Sequence, residues 1–169
     1  MKSKYFLLLF FLLSSCRPLL KKNLLKNPVI RHAQLFTIKV QGVECRHCIL
    51  SVLYLLKSIK PIVQVKSFCP KEKYDQAIFE CFIKPSKKDP FQIIDIQKKL
   101  APEEFKLQSM AGVFSGILTI EQDQLKFIPE LLGKPLPIIG EHQELKVQVD
   151  KKVDLVGTIN FDDRQFYIN

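Results

Sequence analysis

Apolar and polar positions alternate from Leu35 to Gln41, where Phe36, Ile38 and Val40 interleave with Thr37, Lys39 and Gln41. A period of two predicts a half-buried strand, and Gly42 ends it. From Cys48 the period changes: Ile49, Val52, Leu53, Leu56 and Ile59 recur at helical spacing until Pro61 stops the run. Alternation returns over Ile62–Cys69 and, after a polar turn, over Ala77–Ile83. Asp89-Pro90 offers an N-cap and a first-turn proline for a second helix, with Ile93, Ile94, Ile96 and Leu100 on its apolar face. A further strand is predicted from Phe105 to Ala111. The order β-α-β-β-α-β is that of a ferredoxin-like domain, a four-stranded antiparallel sheet with two helices on one face. It is assigned to residues 35–112.

Beyond Val113 helical periodicity is lost, except around Pro129 to Gly133. Short strands are predicted at Phe114–Ile120, Leu125–Ile128, Leu145–Val149, Val153–Phe161 and Gln165–Ile168, with turn residues between most of them. Residues 113–169 therefore read as a second, small all-β module, a five-stranded barrel or sandwich. An oligonucleotide-binding-type barrel is one option. The expected fold class is α+β, two modules in series. The second module holds no cysteine, no metal-ligand cluster and no catalytic pair.

The N-terminus has a different character. Two lysines precede a short apolar run, Tyr5–Leu13, too short to span a bilayer as a helix. This reads as a secretory signal peptide over residues 1–15. Leu13-Ser14-Ser15-Cys16 resembles the lipobox of bacterial lipoproteins, which implies cleavage before Cys16, diacylglycerol carried on its sulfur, and palmitate as part of the lipid anchor. Residues 16–34 would be a basic tether. Residues 1–34 carry seven Lys or Arg and no acid, which leaves 19 basic against 17 acidic residues in the rest of the chain. The basic excess thus belongs to the export segment and tether, where it favours anionic lipid headgroups. Nucleic acid is not an expected partner, since the body lacks a basic stripe with interleaved aromatics. The expected location is the extracytoplasmic side of a bacterial envelope membrane, lipid-anchored through Cys16.

The chemistry concentrates in Gly42-Val43-Glu44-Cys45-Arg46-His47-Cys48, at a strand-to-helix turn. Two thiols there form a soft site suited to Cu(I) first, with Zn(II) or Hg(II) as further candidates. Helix N-terminal amides favour thiolate. Glu44 disfavours it and Arg46 acts in the opposite sense, while His47 is an exposed modulator. A closed zinc site is disfavoured because no third and fourth ligands flank the pair.

Residues 35–112 resemble the heavy-metal-associated domain of copper chaperones, copper-pumping ATPase N-termini and mercury-binding periplasmic proteins. The family motif is Gly-Met-Thr/Ser-Cys-x-x-Cys, matched here by Gly42, Cys45 and Cys48. Val43 stands in place of Met, and Glu44 in place of the hydroxyl residue. The resemblance implies metal ligation by Cys45 and Cys48 and a metal-exchanging protein partner. Thiol-disulfide exchange, a plain Cys45–Cys48 disulfide and a scaffold that has lost its metal remain alternatives. No acid/base pair stands out, so an enzyme is not expected. Cys69 and Cys81, equidistant from Asp75, would face each other across a symmetric hairpin, as a disulfide or as two buried thiols.

Overall fold

A computed structural model describes residues 33–70, 73–140 and 143–169. The signal peptide, Cys16, nearly all of the tether, His32 and His142 lie outside the described residues. β1 (Gln34–Gln41) leads through the Gly42–Cys45 loop into α1 (Arg46–Lys57), then β2 (Ile62–Phe68), β3 (Ile78–Ile83), α2 (Ile93–Leu100) and β4 (Lys106–Glu121). Four shorter strands follow: β5 (Gln124–Pro129), β6 (Leu136–Ile139), β7 (Lys152–Asn160) and β8 (Gln165–Ile168). Among the described residues no helix is long and apolar enough to cross a membrane.

The expected pair of modules, a ferredoxin-like domain and a separate β unit, is not what the chain forms. All eight strands belong to one sheet, ordered β2-β3-β1-β4-β5-β6-β8-β7, and β7 returns to pair with β4. Strands β4, β5, β6, β8 and β7 thereby close a five-stranded barrel whose β6–β8 pair is parallel. The boundary placed after Gly112 falls inside β4, which is 16 residues long. Ser109 and Ala111 pair with β1 on one side and β7 on the other, and Gly116 and Ile117 pair with both β5 and β7. One strand is thus common to the helix-covered sheet and the barrel.

Two glycines explain the closure. A Cβ on Gly116 would collide with the Ile128 carbonyl oxygen and lie 2.6 Å from Phe127 Cε2; one on Gly157 would lie 2.5 Å from Phe166 Cζ. Neither has a left-handed φ, so what they supply is room for aromatic rings inside a narrow barrel. Those rings continue the core. Phe36 of β1 contacts Phe114 of β4 at 5.3 Å between centroids, Phe114 contacts Phe166 at 5.7 Å, and Phe166 contacts Phe127 at 4.9 Å. A single buried cluster runs from the helix layer to the barrel interior.

Both helices form where their spacing predicts, except that α1 ends at Lys57, before Ile59, and Ile94, expected on the apolar face of α2, is exposed. α1 buries Ile49, Val52 and Leu56; α2 buries Ile93, Ile96 and Leu100. Full burial of such side chains is worth about 1.5–3 kcal/mol each. The start of α2 differs from the expected Asp89 cap. Gln92 is the N-cap, and Asp95 Oδ2 accepts from its backbone N–H at 3.1 Å. In the barrel, Leu145–Val149 is not a strand. Residues Gln143–Gln148 form a 3₁₀ helix in which Val147 is 70% exposed. The fifth strand is instead Leu136–Ile139.

Candidate metal centre

β1 delivers the loop. Gly42 has φ +92°, and a Cβ there would sit 3.4 Å from the Phe105 ring, so the turn suits glycine in both conformation and space. Val43 is buried and pins the loop to the core, while Glu44 stays exposed. Cys45 is the N-cap of α1, with extended backbone at φ −148° and ψ 164°. Its Sγ accepts the Cys48 N–H at 3.1 Å, and its carbonyl accepts from Ile49 N at 3.2 Å. A sulfur here does the work of a capping oxygen, and the amide dipoles of the first turn favour negative charge on it.

The structure brings Cys45 and Cys48 together. Their sulfurs are joined as a disulfide, with the Cα atoms 5.1 Å apart. Both residues are half-buried, and Cys48 packs against the core. Arg46 and His47 occupy the first turn between them and are exposed. No acidic side chain lies in that first turn. Among the described residues no three His, Cys, Asp or Glu side chains converge on a common point. What the turn presents is therefore a pair of sulfurs at a helix start. In a linear bis-thiolate with metal–sulfur bonds of about 2.3 Å, the sulfurs of the reduced pair would stand about 4.6 Å apart. The Cα atoms stand 5.1 Å apart, a spacing compatible with that separation.

The other two cysteines are not a pair. Both are free thiols. Register explains it: Phe68 faces Ile78 and Val65 faces Cys81, so the hairpin is centred before Asp75. Cys69 lies four residues further along β2's path than Cys81's partner, about 13 Å at strand rise. The extra length on the β3 side is taken up by a 3₁₀ turn, Tyr74–Gln76. Cys81 is fully buried, and burial pushes its thiol up to about 12. It is a core residue, as is Met110. Cys69 is half-buried at the end of β2.

The sequence reading assigned no site to the barrel. The structure forms a cleft at its α2 end whose residues, Gln97 to Arg164, are too scattered along the chain to leave a motif. Compared with known proteins, the chain matches no family model, no curated protein and no solved structure.

Proposed function

We propose that the protein binds a soft metal ion, Cu(I) first, and passes it to a thiol-bearing partner through Cys45 and Cys48. The observation that carries this reading is the pair of half-buried sulfurs at the N-cap and first turn of α1, within reach of one ion. In an oxidising compartment the pair rests as a disulfide. Two thiols of an external reductant supply two electrons and two protons and return Cys45 and Cys48 to thiols. Binding of Cu(I) then releases two protons, so uptake strengthens as pH rises through the thiol range. Transfer proceeds by exchanging one thiolate at a time with the partner, for which a two-coordinate exposed ion leaves space. Zn(II) and Hg(II) suit the same sulfurs but Zn(II) would draw further ligands from solvent or partner. Anchoring through Cys16 would hold the site at the extracytoplasmic membrane surface.

The joined sulfurs favour a second reading, thiol-disulfide exchange with a substrate protein, in which a substrate thiolate attacks one sulfur and the other leaves. One experiment separates the two. Reduced protein competes with a calibrated chelator for Cu(I), beside a Cys45→Ser/Cys48→Ser variant, and both are assayed for turnover of a model disulfide. One copper per chain, lost in the variant, is the expected result. Equal uptake by both proteins, or by neither, overturns the metal reading; cysteine-dependent turnover without copper uptake establishes the second.

A further inference from the structure

Among the described residues the sheet has one open edge. β7 closes on β4, so every barrel strand has two neighbours, while β2 ends the sheet bonded to β3 alone. An unpaired edge is a template for another strand, and proteins guard such edges with a proline, a lysine or a bulge. β2 contains no proline. Its register shift lies between Ile62 and Gln64, which leaves residues 64–68 regular. Its one lysine, Lys66, lies over the Phe82 ring of β3, 5.5 Å from the centroid, and so leans away from the edge. Phe68, at the end of the strand, is 61% exposed.

α1 stands over the same edge. It packs on β2, while α2 packs on β4. Leu55 and Ser58 line the groove toward α2, beside Asp95 and Lys98. Arg46, Leu50, Leu53 and Lys57 lie roughly 140–180° round the helix from Leu55, on the side that looks out past β2. Their spacing, i, i+4, i+7, i+11, is that of a helix-pairing seam. Leu50 is 58% exposed and Leu53 half-buried. An open strand edge and an open helix seam thus share one side of the molecule.

We propose that a second copy of this chain docks on that side across a two-fold axis, β2 pairing antiparallel with β2 and α1 packing on α1. The strand is self-complementary in one register. Pairing about Val65 sets Gln64 opposite Lys66 of the second copy; pairing about Lys66 would set two lysines opposite each other, which is destabilising. The same axis lays the Leu50 and Leu53 side chains of both helices together. Arg46 and Lys57 end the seam and are long enough to carry their charges out to water, and the exposed Glu44 precedes Arg46 by two residues. Two layers about 10 Å deep and about 18 Å long give roughly 350 Å² per copy, under half of the about 800 Å² of a standard interface. The contact is accordingly weak and transient. Cys48 precedes Leu55 by two helical turns and falls on its side of α1, so the dimer does not rest on the metal reading.

The test is sedimentation of the full chain from roughly 10 μM to 1 mM, the range of weak contacts, with hydrogen exchange read on peptides from β2 and from β5. A dimer fraction rises with concentration, and exchange slows in the β2 peptide while the β5 peptide is unchanged. Leu50→Lys, a change at an exposed position, keeps the melting temperature and weakens association at least roughly tenfold, because it sets like charges together at the seam. Val113→Lys, at an exposed barrel position, and Cys45→Ser/Cys48→Ser associate as the parent does. A monomer at the highest concentration overturns the proposal and leaves the edge to a different protein. Self-association that leaves β2 exchange unchanged, or full association of Leu50→Lys, overturns it as well.

Discussion

Phe114→Ala tests whether the chain is one cooperative unit. The ring is fully buried on β4 and touches Phe36 at 5.3 Å and Phe166 at 5.7 Å, so it joins the helix-covered sheet to the barrel. Removing a buried Phe side chain costs about 3–5 kcal/mol, cavity included. Two aromatic contacts, each worth about 0.5–1.5 kcal/mol, place this site toward the top of that range. For a chain of this size, 1 kcal/mol corresponds to about 2–4 °C, so the melting temperature should fall by about 8–20 °C. The assay is urea unfolding read by hydrogen exchange on peptides from β1–α1 and, separately, from β5–β6. Both regions should lose protection at one shared midpoint, lowered equally by the substitution, with the denaturant slope unchanged. Loss of protection in the barrel peptides alone, with β1–α1 keeping the parent midpoint, would refute the shared core and restore two independent modules.

Gly116→Ala should destabilise by about 3 kcal/mol because its methyl meets the Ile128 carbonyl and the Phe127 ring. Gly133→Ala, with φ +66° but nothing within 4 Å, should cost only about 1 kcal/mol of left-handed strain; denaturation midpoints in the reverse order would contradict barrel closure at Gly116. For Cys81, whose folded thiol is raised from 9.0 to about 12, the unfolded chain gives up its proton first as pH rises. Its contribution is therefore fully present below about pH 9 and is lost between pH 9 and 12, at up to about 1.4 kcal/mol per unit. A Cys81→Ala variant should lack that component of the slope, and identical slopes for the two proteins would remove the assignment.

Much of the helix-covered half is legible in the sequence because each element there buries one face at a clean period. Ile49, Val52 and Leu56 specify α1, and Phe36, Ile38 and Val40 specify β1, without help from elsewhere. The dithiol loop is legible for the same reason: it is the short junction of two well-marked elements. What cannot be read locally is pairing. Gly112 looks like the end of a domain, yet it and Gly116 are where neighbouring rings pass close to β4. Leu136-Pro137-Ile138-Ile139 is short and contains a proline, so its pairing with β5 and β8 leaves little trace. Leu145, Val147 and Val149 alternate like a strand, yet Gln143–Gln148 turns as a 3₁₀ helix. The expectation that Cys69 and Cys81 face each other failed on register, which leaves the alternative of two free thiols, Cys81 buried and Cys69 half-buried: a hairpin centre displaced by two residues changes every partner.

The position of β1 has a mechanical consequence. Described residues begin just before it, and β1 is held on both sides, by β3 and by β4. Ladder hydrogen bonds lie across the strand direction. A pull on the chain entering at Gln34, directed along β1, is therefore shared by both ladders at once, in shear. It does not peel them apart bond by bond. A protein dragged by its N-terminal end would feel that load in a strand held on both sides, with the cysteine loop at the far end of the same strand shielded from it.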